Sequence, residues 1–240
     1  MEEQERVERF LGAYNSIDKA LRRRAGVDQR VEFSAVIRRA AESSSLLRRY
    51  RDDLKEYHDL RNAIVHESTT AEAIAVPRED TVIKIEALEK HINRPRDALS
   101  LATRPVETLE ANSDLTTAAR MMAEGHFSQI PIYEEGKYRA LLTSDLIAWW
   151  MGRTSGFSST PRPAEVKVGQ MLQDEKQTGT CRFVARSATV ADALEQFEAS
   201  CHNGTRLDAV IITQSGNERE TPLGIITPWD LAKVYAALAL

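Results

Sequence analysis

The last 140 residues of this 240-residue chain carry one strand–helix–strand–strand–helix unit twice. Both copies end on a hairpin that runs into a threonine and an aspartate at the start of a helix. In the second copy the string is Leu223-Gly224-Ile225-Ile226-Thr227-Pro228-Trp229-Asp230-Leu231, and in the first it is Ala140-Leu141-Leu142-Thr143-Ser144-Asp145-Leu146. An internal repeat constrains architecture more than any single residue does. The repeat also sets hydroxyls and carboxylates at helix N-termini, where a phosphorylated ligand can be held.

Within the first copy, residues 106–109 read as a strand and Ser113-Asp114 cap a helix reaching Met122. Residues 129–133 read as a buried strand, and Glu134-Glu135-Gly136-Lys137 make the turn into a return strand over 138–142. A helix over 145–152 closes the unit, and Ser155-Gly156-Phe157-Ser158-Ser159-Thr160-Pro161-Arg162-Pro163 is a linker by composition. In the second copy 187–197 matches 113–122, with Thr189-Val190 over Asp114-Leu115. Residues 208–213 form the buried strand, 214–222 a longer polar hairpin, and 230–240 the closing helix.

Upstream the periodicity is helical. Val7, Phe10, Leu11, Tyr14, Ile17 and Leu21 recur at spacings of three and four, and Gly26 offers a stop. A second apolar stripe is Phe33, Val36, Ile37, Ala40 and Ala41. A third runs from Leu46 to His66 and is broken by Ser68-Thr69-Thr70, and a fourth helix spans 79–92 after Ala73-Ile74-Ala75-Val76-Pro77. Asn93-Arg94-Pro95-Arg96 marks the boundary, because prolines stop helices. The expected organisation is α+β: a helical domain over 1–92, a first repeat over 98–153 and a second over 164–240.

Charge is uneven. Residues 1–66 hold 14 Lys/Arg and 12 Asp/Glu, and within 19–51 the count is ten basic to three acidic. Arg22-Arg23-Arg24, Arg38-Arg39 and Arg48-Arg49 supply the clusters, which suit either a phosphate-backbone binder or a solvated helix face. Cys181 and Cys201 form no C-x-x-C pair, so neither a disulfide framework nor a zinc site is indicated. No apolar run has the length of a membrane span, and the charged start Met1-Glu2-Glu3-Gln4-Glu5-Arg6 is unlike a signal peptide. The expectation is a cytoplasmic protein with no membrane partner and no metal.

The order and spacing of the repeats resemble a tandem pair of CBS domains over about 98–240. The resemblance is carried by Phe127-Ser128-Gln129-Ile130-Pro131-Ile132-Tyr133 with Leu141-Leu142-Thr143, and by Gly224-Ile225-Ile226-Thr227 through Asp230-Leu231. It implies a pseudo-two-fold module whose cleft binds adenine nucleotides (AMP, ADP or ATP) as regulatory ligands. Thr227 and Asp230 match the family's Thr-x-x-Asp: the carboxylate accepts ribose hydroxyls, while the Thr hydroxyl and helix-start amides meet phosphate. Thr143 and Asp145 are the counterparts in the first repeat, but Thr143-Ser144-Asp145 is one residue short. The second repeat carries Asp208 where a proline is usual. One sound site, at Thr227 and Asp230, is therefore expected, against the plainer alternative that the two residues only cap a helix.

Arg61-Asn62-Ala63-Ile64-Val65-His66, at a helix end in an all-helical region, resembles the HEPN superfamily, whose active members are metal-independent ribonucleases. That resemblance implies a catalytic set of Arg61, Asn62 and His66, with His66 moving a proton, Arg61 clamping phosphate and Asn62 either orienting the imidazole or contacting phosphate. Arg61 and His66 lie about 140° apart around a helix, which favours a site composed by two protomers. Two outcomes stay open. In one, an adenine nucleotide controls RNA binding or endoribonuclease activity in a homodimer; in the other, a non-catalytic nucleotide-sensing adaptor uses its helical domain only to dimerise or to dock a partner.

Overall fold

The structure, a computed structural model, describes residues 2–66, 75–154, 162–174 and 179–240, without the side chains of His66 and Asp174. The expected break at Ser68-Thr69-Thr70, the Ala73-Ile74 start of the lead-in and the 155–161 part of the linker lie outside the described residues. The chain forms two compact units, one of residues 1–96, 189–192 and 235–240, the other of 97–188 and 193–234.

In the first unit the helices are α1 (Glu3–Ala25), α2 (Phe33–Ala41), α3 (Ser45–Arg49), α4 (Arg51–His66) and α5 (Glu79–Asn93). The apolar stripes turn inward, and Phe10, Ile17, Leu21, Ile37, Leu47, Leu54, Ile85 and Leu88 are almost completely buried. Each such side chain contributes about 1.5–3 kcal/mol of burial. Gly26 ends α1 in the left-handed region at φ 64°, and its N–H satisfies the end of the helix. The helix expected over 46–66 is instead two: Tyr50, at φ −102° and ψ 22°, separates α3 from α4. Its hydroxyl donates to the Leu238 carbonyl.

The second unit contains two three-stranded sheets of identical topology. In the first, β1 (Leu109–Glu110) runs parallel to β2 (Gln129–Glu134), which pairs antiparallel with β3 (Lys137–Thr143). In the second, β4 (Cys181–Ala185) runs parallel to β5 (Ala209–Thr213), which pairs antiparallel with β6 (Gly224–Ile226). The helices are α6 (Leu115–Gly125), α7 (Ser144–Thr154), α8 (Val168–Asp174), α9 (Val190–His202) and α10 (Leu231–Leu238), the last preceded by a 3-10 turn over Pro228–Asp230; the first residues of α9, through Asp192, and those of α10 from Tyr235 belong to the first unit. The first strand lies at 109–110 and not at 106–109, and β4 had no distinct sequence signal because its pattern Cys-Arg-Phe-Val-Ala is half exposed.

Exchanged bridges tie the repeats together. Thr103, ahead of the first repeat, pairs with Ile225 on β6, and Gly179, ahead of the second, pairs with Leu141 on β3. Gly179 is demanded by that approach, since a Cβ there would lie 2.7 Å from Thr143 Cγ2 and 2.9 Å from the Leu141 carbonyl oxygen. Leu141, Ala209, Ile211 and Ile225 form one buried cluster drawn from both repeats.

Strand register corrects one expectation. Pro131 faces Leu141 and Ile211 faces Ile225, at equivalent places in the two sheets. Ile211 therefore stands where the first repeat has its proline. Asp208 precedes β5 and corresponds to Ser128. Two short apolar runs align equally well at several offsets in sequence, and only the ladder fixes which is right.

Candidate functional site

Thr227 leaves β6 in an extended conformation and starts the turn into α10. Pro228 follows at the first helical position, where its fixed φ suits the helix and its missing N–H is not needed. Asp230 Oδ2 accepts the Thr227 N–H at 3.0 Å and the Thr227 hydroxyl at 3.1 Å, while Lys233 Nζ lies 3.3 Å from Oδ1. The Asp230 N–H returns to the Thr227 carbonyl at 2.9 Å. Thr227 and Asp230 thus form a closed cap, as the plainer alternative expected.

They also line a cavity of about 850 Å³. Val106, Ala119, Met122, Ile147 and Ile225 give it an apolar floor, with Glu107, His126, Ser128, Gln129 and Ser144 as its polar lining and Trp229 at its edge. Trp229 is 84% exposed, an unusual state for so large an apolar ring unless something covers it. An apolar recess with a few convergent polar groups is the ordinary form of a small-molecule site.

The same Thr-x-x-Asp cap is formed by Thr189 and Asp192: Asp192 Oδ2 accepts the Thr189 N–H at 2.9 Å and its hydroxyl at 2.8 Å. There the second carboxylate oxygen accepts the Ser45 hydroxyl at 2.5 Å. Burial raises the Asp192 pKa, but these bonds outweigh it and hold the carboxyl below its usual range. One cap is sealed by Ser45 and the other opens on a cavity, a distinction the sequence string does not carry.

In the first repeat, the Thr143 hydroxyl accepts the Leu146 N–H at 3.2 Å and caps α7. The residue three past the cap is therefore Leu146, which is buried, where the second repeat has Asp230. Asp145 occupies the place of Trp229 and is half exposed. It stands one place short of the position equivalent to Asp230, as the shortened Thr143-Ser144-Asp145 string indicates. Arg206 holds it, with Nη2 3.1 Å from Asp145 Oδ2, while Arg206 Nε lies 2.5 Å from Oδ1 of buried Asp208. Asp208 Oδ2 in turn accepts the Thr180 N–H at 2.9 Å. Of the four expected cleft residues, the structure brings Thr227 and Asp230 to the cavity and leaves Thr143 and Asp145 outside its lining. Glu107 and His126 also line it but had no motif to reveal them.

In the helical unit, Arg61 Nη1 donates to Asn62 Oδ1 at 3.1 Å, and Asn62 Nδ2 lies 3.1 Å from His58 Nε2. His58 Nδ1 is 2.7 Å from the Tyr14 hydroxyl, and its ring stacks on Phe33 with centroids 4.7 Å apart. Burial and then the charge of Arg61 push the His58 pKa below its ordinary 6.5, against the opposite pull of Asp59, Asp18 and Glu32. Asn62 thus orients His58, four residues before it on the same helix face, and the His66 side chain is outside the described residues. The spacing of His58 to Asn62, four residues on one helix face, was the available sequence signal.

The arginine clusters are partly consumed by the fold. Arg22 is paired with Asp18 at 2.8 Å and donates to the carbonyls of Asp28 and Val31 at 2.7 and 2.8 Å. Arg48 donates to the Ala41 carbonyl at 2.9 Å, and Arg49 lies over the Tyr235 ring at 5.5 Å. Among the described residues no helix is long and apolar enough to cross a membrane.

Comparison with known proteins places this geometry. The family model described as the CBS domain matches residues 98–149 and again 180–237. No curated protein gives a match. The fold is similar to solved structures that include a CBS domain-containing protein from Kribbella flavida, 15% identical over 59% of this chain and 99% of that one, with a TM-score of 0.43. Others are a CBS domain protein from Thermoplasma acidophilum (16% identity, 60% and 72% coverage, TM-score 0.43) and the CBS domain of a membrane protein from Sphaerobacter thermophilus (20% identity, 59% and 88% coverage, TM-score 0.41). With its matched strand order, exchanged bridges and both family matches, the C-terminal part of this chain is a tandem pair of CBS domains.

Proposed function

We propose that the protein is a nucleotide-sensing regulator in which the CBS pair holds one adenine-containing ligand at Thr227 and Asp230, and the helical unit is the responding element. CBS pairs are typical of nucleotide-sensing regulatory proteins. AMP, ADP and ATP are the ligands the resemblance implies, with the purine against Trp229 and the apolar floor and the ribose hydroxyls on Asp230. The observation that carries the coupling is the course of α10. It begins at Leu231, directly after Asp230, and from Tyr235 onward its residues are part of the helical unit. A ligand that alters the cap at Thr227 and Asp230 therefore bears on the same helix whose Leu238 carbonyl accepts the Tyr50 hydroxyl.

Of the two outcomes left open by the sequence, the adaptor is the better account of the helical unit. Asn62 is committed to His58 and Arg61, and Arg22 and Arg48 are spent on backbone carbonyls. A HEPN-type ribonuclease at Arg61, Asn62 and His66 has only its sequence string in support. Homodimer formation belongs to the same proposal, with exposed Trp149 and Met151 on α7 as the apolar contact.

Calorimetric titration with adenosine, AMP and ATP tests the proposal. One ligand per chain is expected, weakened at least about tenfold by Asp230→Ala through loss of charge-assisted hydrogen bonds. No binding by any of the three, or equal binding to the variant, overturns it. Single-stranded RNA incubated with the protein in EDTA should stay intact; cleavage lost in Arg61→Ala would restore the ribonuclease account.

A further inference from the structure

We propose that the helical unit carries a ligand site of its own, a small recess between α4 and α5 that takes a zwitterion of the α-amino-acid type. The site is independent of the CBS cleft and of whatever that cleft binds.

The recess has a volume of about 270 Å³ and is lined by Asp53, Glu56, Tyr57 and Leu60 from α4 and by Thr81 and Lys84 from α5. The four α4 residues share one helix face because they stand three or four apart, and Thr81 and Lys84 share a face of α5 for the same reason. Drug-sized ligands occupy pockets of about 300–1,000 Å³, so the occupant here is smaller than a nucleotide.

The first pointer to an occupant is Tyr57. The residue is only 6% exposed, yet its hydroxyl makes no hydrogen bond among the described residues. Its ring is fixed edge-on against Phe10, with centroids 6.2 Å apart. Burial, and then the charges of Asp53, Glu56 and Asp80, push the phenol up to about 12, so the hydroxyl keeps its proton and remains a donor. A buried donor without an acceptor is a rare and costly state.

The second pointer is that opposite charges line the same recess without meeting. Asp53 and Glu56 stand on the α4 side and Lys84 on the α5 side, and none of the three is in an ion pair among the described residues. The Thr81 hydroxyl is likewise without a partner there. Asp80, by contrast, is held by Arg78 at 3.0 Å and accepts the Thr81 N–H at 3.0 Å. A simple cation would be repelled by Lys84 and a simple anion by the two carboxylates. A molecule carrying both charges satisfies every group. Its ammonium goes to Asp53 and Glu56, its carboxylate to Lys84 and the hydroxyls of Tyr57 and Thr81, and its side chain lies against Leu60.

The probes are glycine, L-alanine, L-serine and L-leucine, titrated calorimetrically into the full chain, with ethylamine and propionate as single-charge controls. At least one of the amino acids should bind, and each control should bind at least about tenfold more weakly because it leaves one set of charges unmatched. Tyr57→Phe should weaken the amino acid about tenfold while melting at or above the wild-type temperature, since the phenol has no partner to lose. Lys84→Met should weaken the amino acid but not ethylamine. Binding by none of the four, ethylamine binding as tightly as the amino acid, or amino-acid binding unchanged in either variant overturns the proposal.

Discussion

Arg206 Nη2 stands 3.1 Å from Asp145 Oδ2, so the acidic residue at the start of α7 is paired within the protein itself. Together with Leu146 at the position of Asp230, this pairing makes the two halves of the CBS pair chemically unequal although their topology is identical. Ligand stoichiometry should therefore be one per chain. Arg206→Ala should leave it at one, since removing a guanidinium does not supply a carboxylate where Leu146 lies. The Arg206–Asp145 pair is exposed, but Arg206 also pairs with buried Asp208, so the variant should lose about 1–3 kcal/mol in a denaturant titration. A stoichiometry of two in the wild type would contradict the asymmetry.

The two Thr-x-x-Asp caps provide an internal control. Asp192→Ala and Asp230→Ala each remove a helix cap and should destabilise by about 1–2 kcal/mol. Only Asp230→Ala should weaken ligand binding. Parallel unfolding curves and titrations separate the two roles, and equal binding losses would show that the effect is merely global.

Trp229 should report the ligand directly. A purine covering its exposed ring changes its fluorescence, and Trp229→Ala should weaken binding by about 1–3 kcal/mol through lost stacking. Persistence of the full fluorescence change in Trp229→Phe would move the site elsewhere, since Trp149 and Trp150 are the other tryptophans.

Stability should fall as pH drops below about 6.5, because His58 is held neutral. Its pKa is lowered in the folded state, so the unfolded chain binds the proton first. The contribution is complete above the ordinary value of 6.5 and is lost as pH falls from there through the lowered folded pKa. The facing groups are Tyr14 and Asp18 on α1, Glu32 ahead of α2, and Asp59 and Arg61 on α4. Depressed carboxyls such as Glu86 and Asp192 act below this window, with stability present above their ordinary values of 4.5 and 3.8 and lost as pH falls through their folded ones. The melting temperature of His58→Gln should therefore be flatter than wild type between pH 7 and 5. An unchanged slope would assign the effect to another group.

Sedimentation at micromolar concentration should give a dimer, and Trp149→Glu with Met151→Glu should shift it toward the 26.9 kDa chain. A wild-type monomer would remove the dimer from the proposal.

The helices and the repeat were legible in the chain because their signals are periodic and local. The Phe10–Ile17–Leu21 stripe, the Gly26 stop, the 79–93 helix and the paired hairpins each follow from spacing of three, four or two along a few residues. Thr227 and Asp230 were legible for the same reason, since a cap is a contact three residues long. What they do was not. The same string at Thr189 and Asp192 ends against Ser45, 147 residues away, while Thr227 and Asp230 line a recess that Glu107, Phe127 and Ile147 complete from distant segments. The Ile211 register, the Arg206–Asp145 pair and the His58–Asn62–Tyr14 chain likewise join residues whose sequence offset carries no signal. Sequence determines which segments become helix and strand and that the unit is duplicated. Tertiary packing alone decides which of two identical caps faces open space, because that depends on what the rest of the chain places beside it.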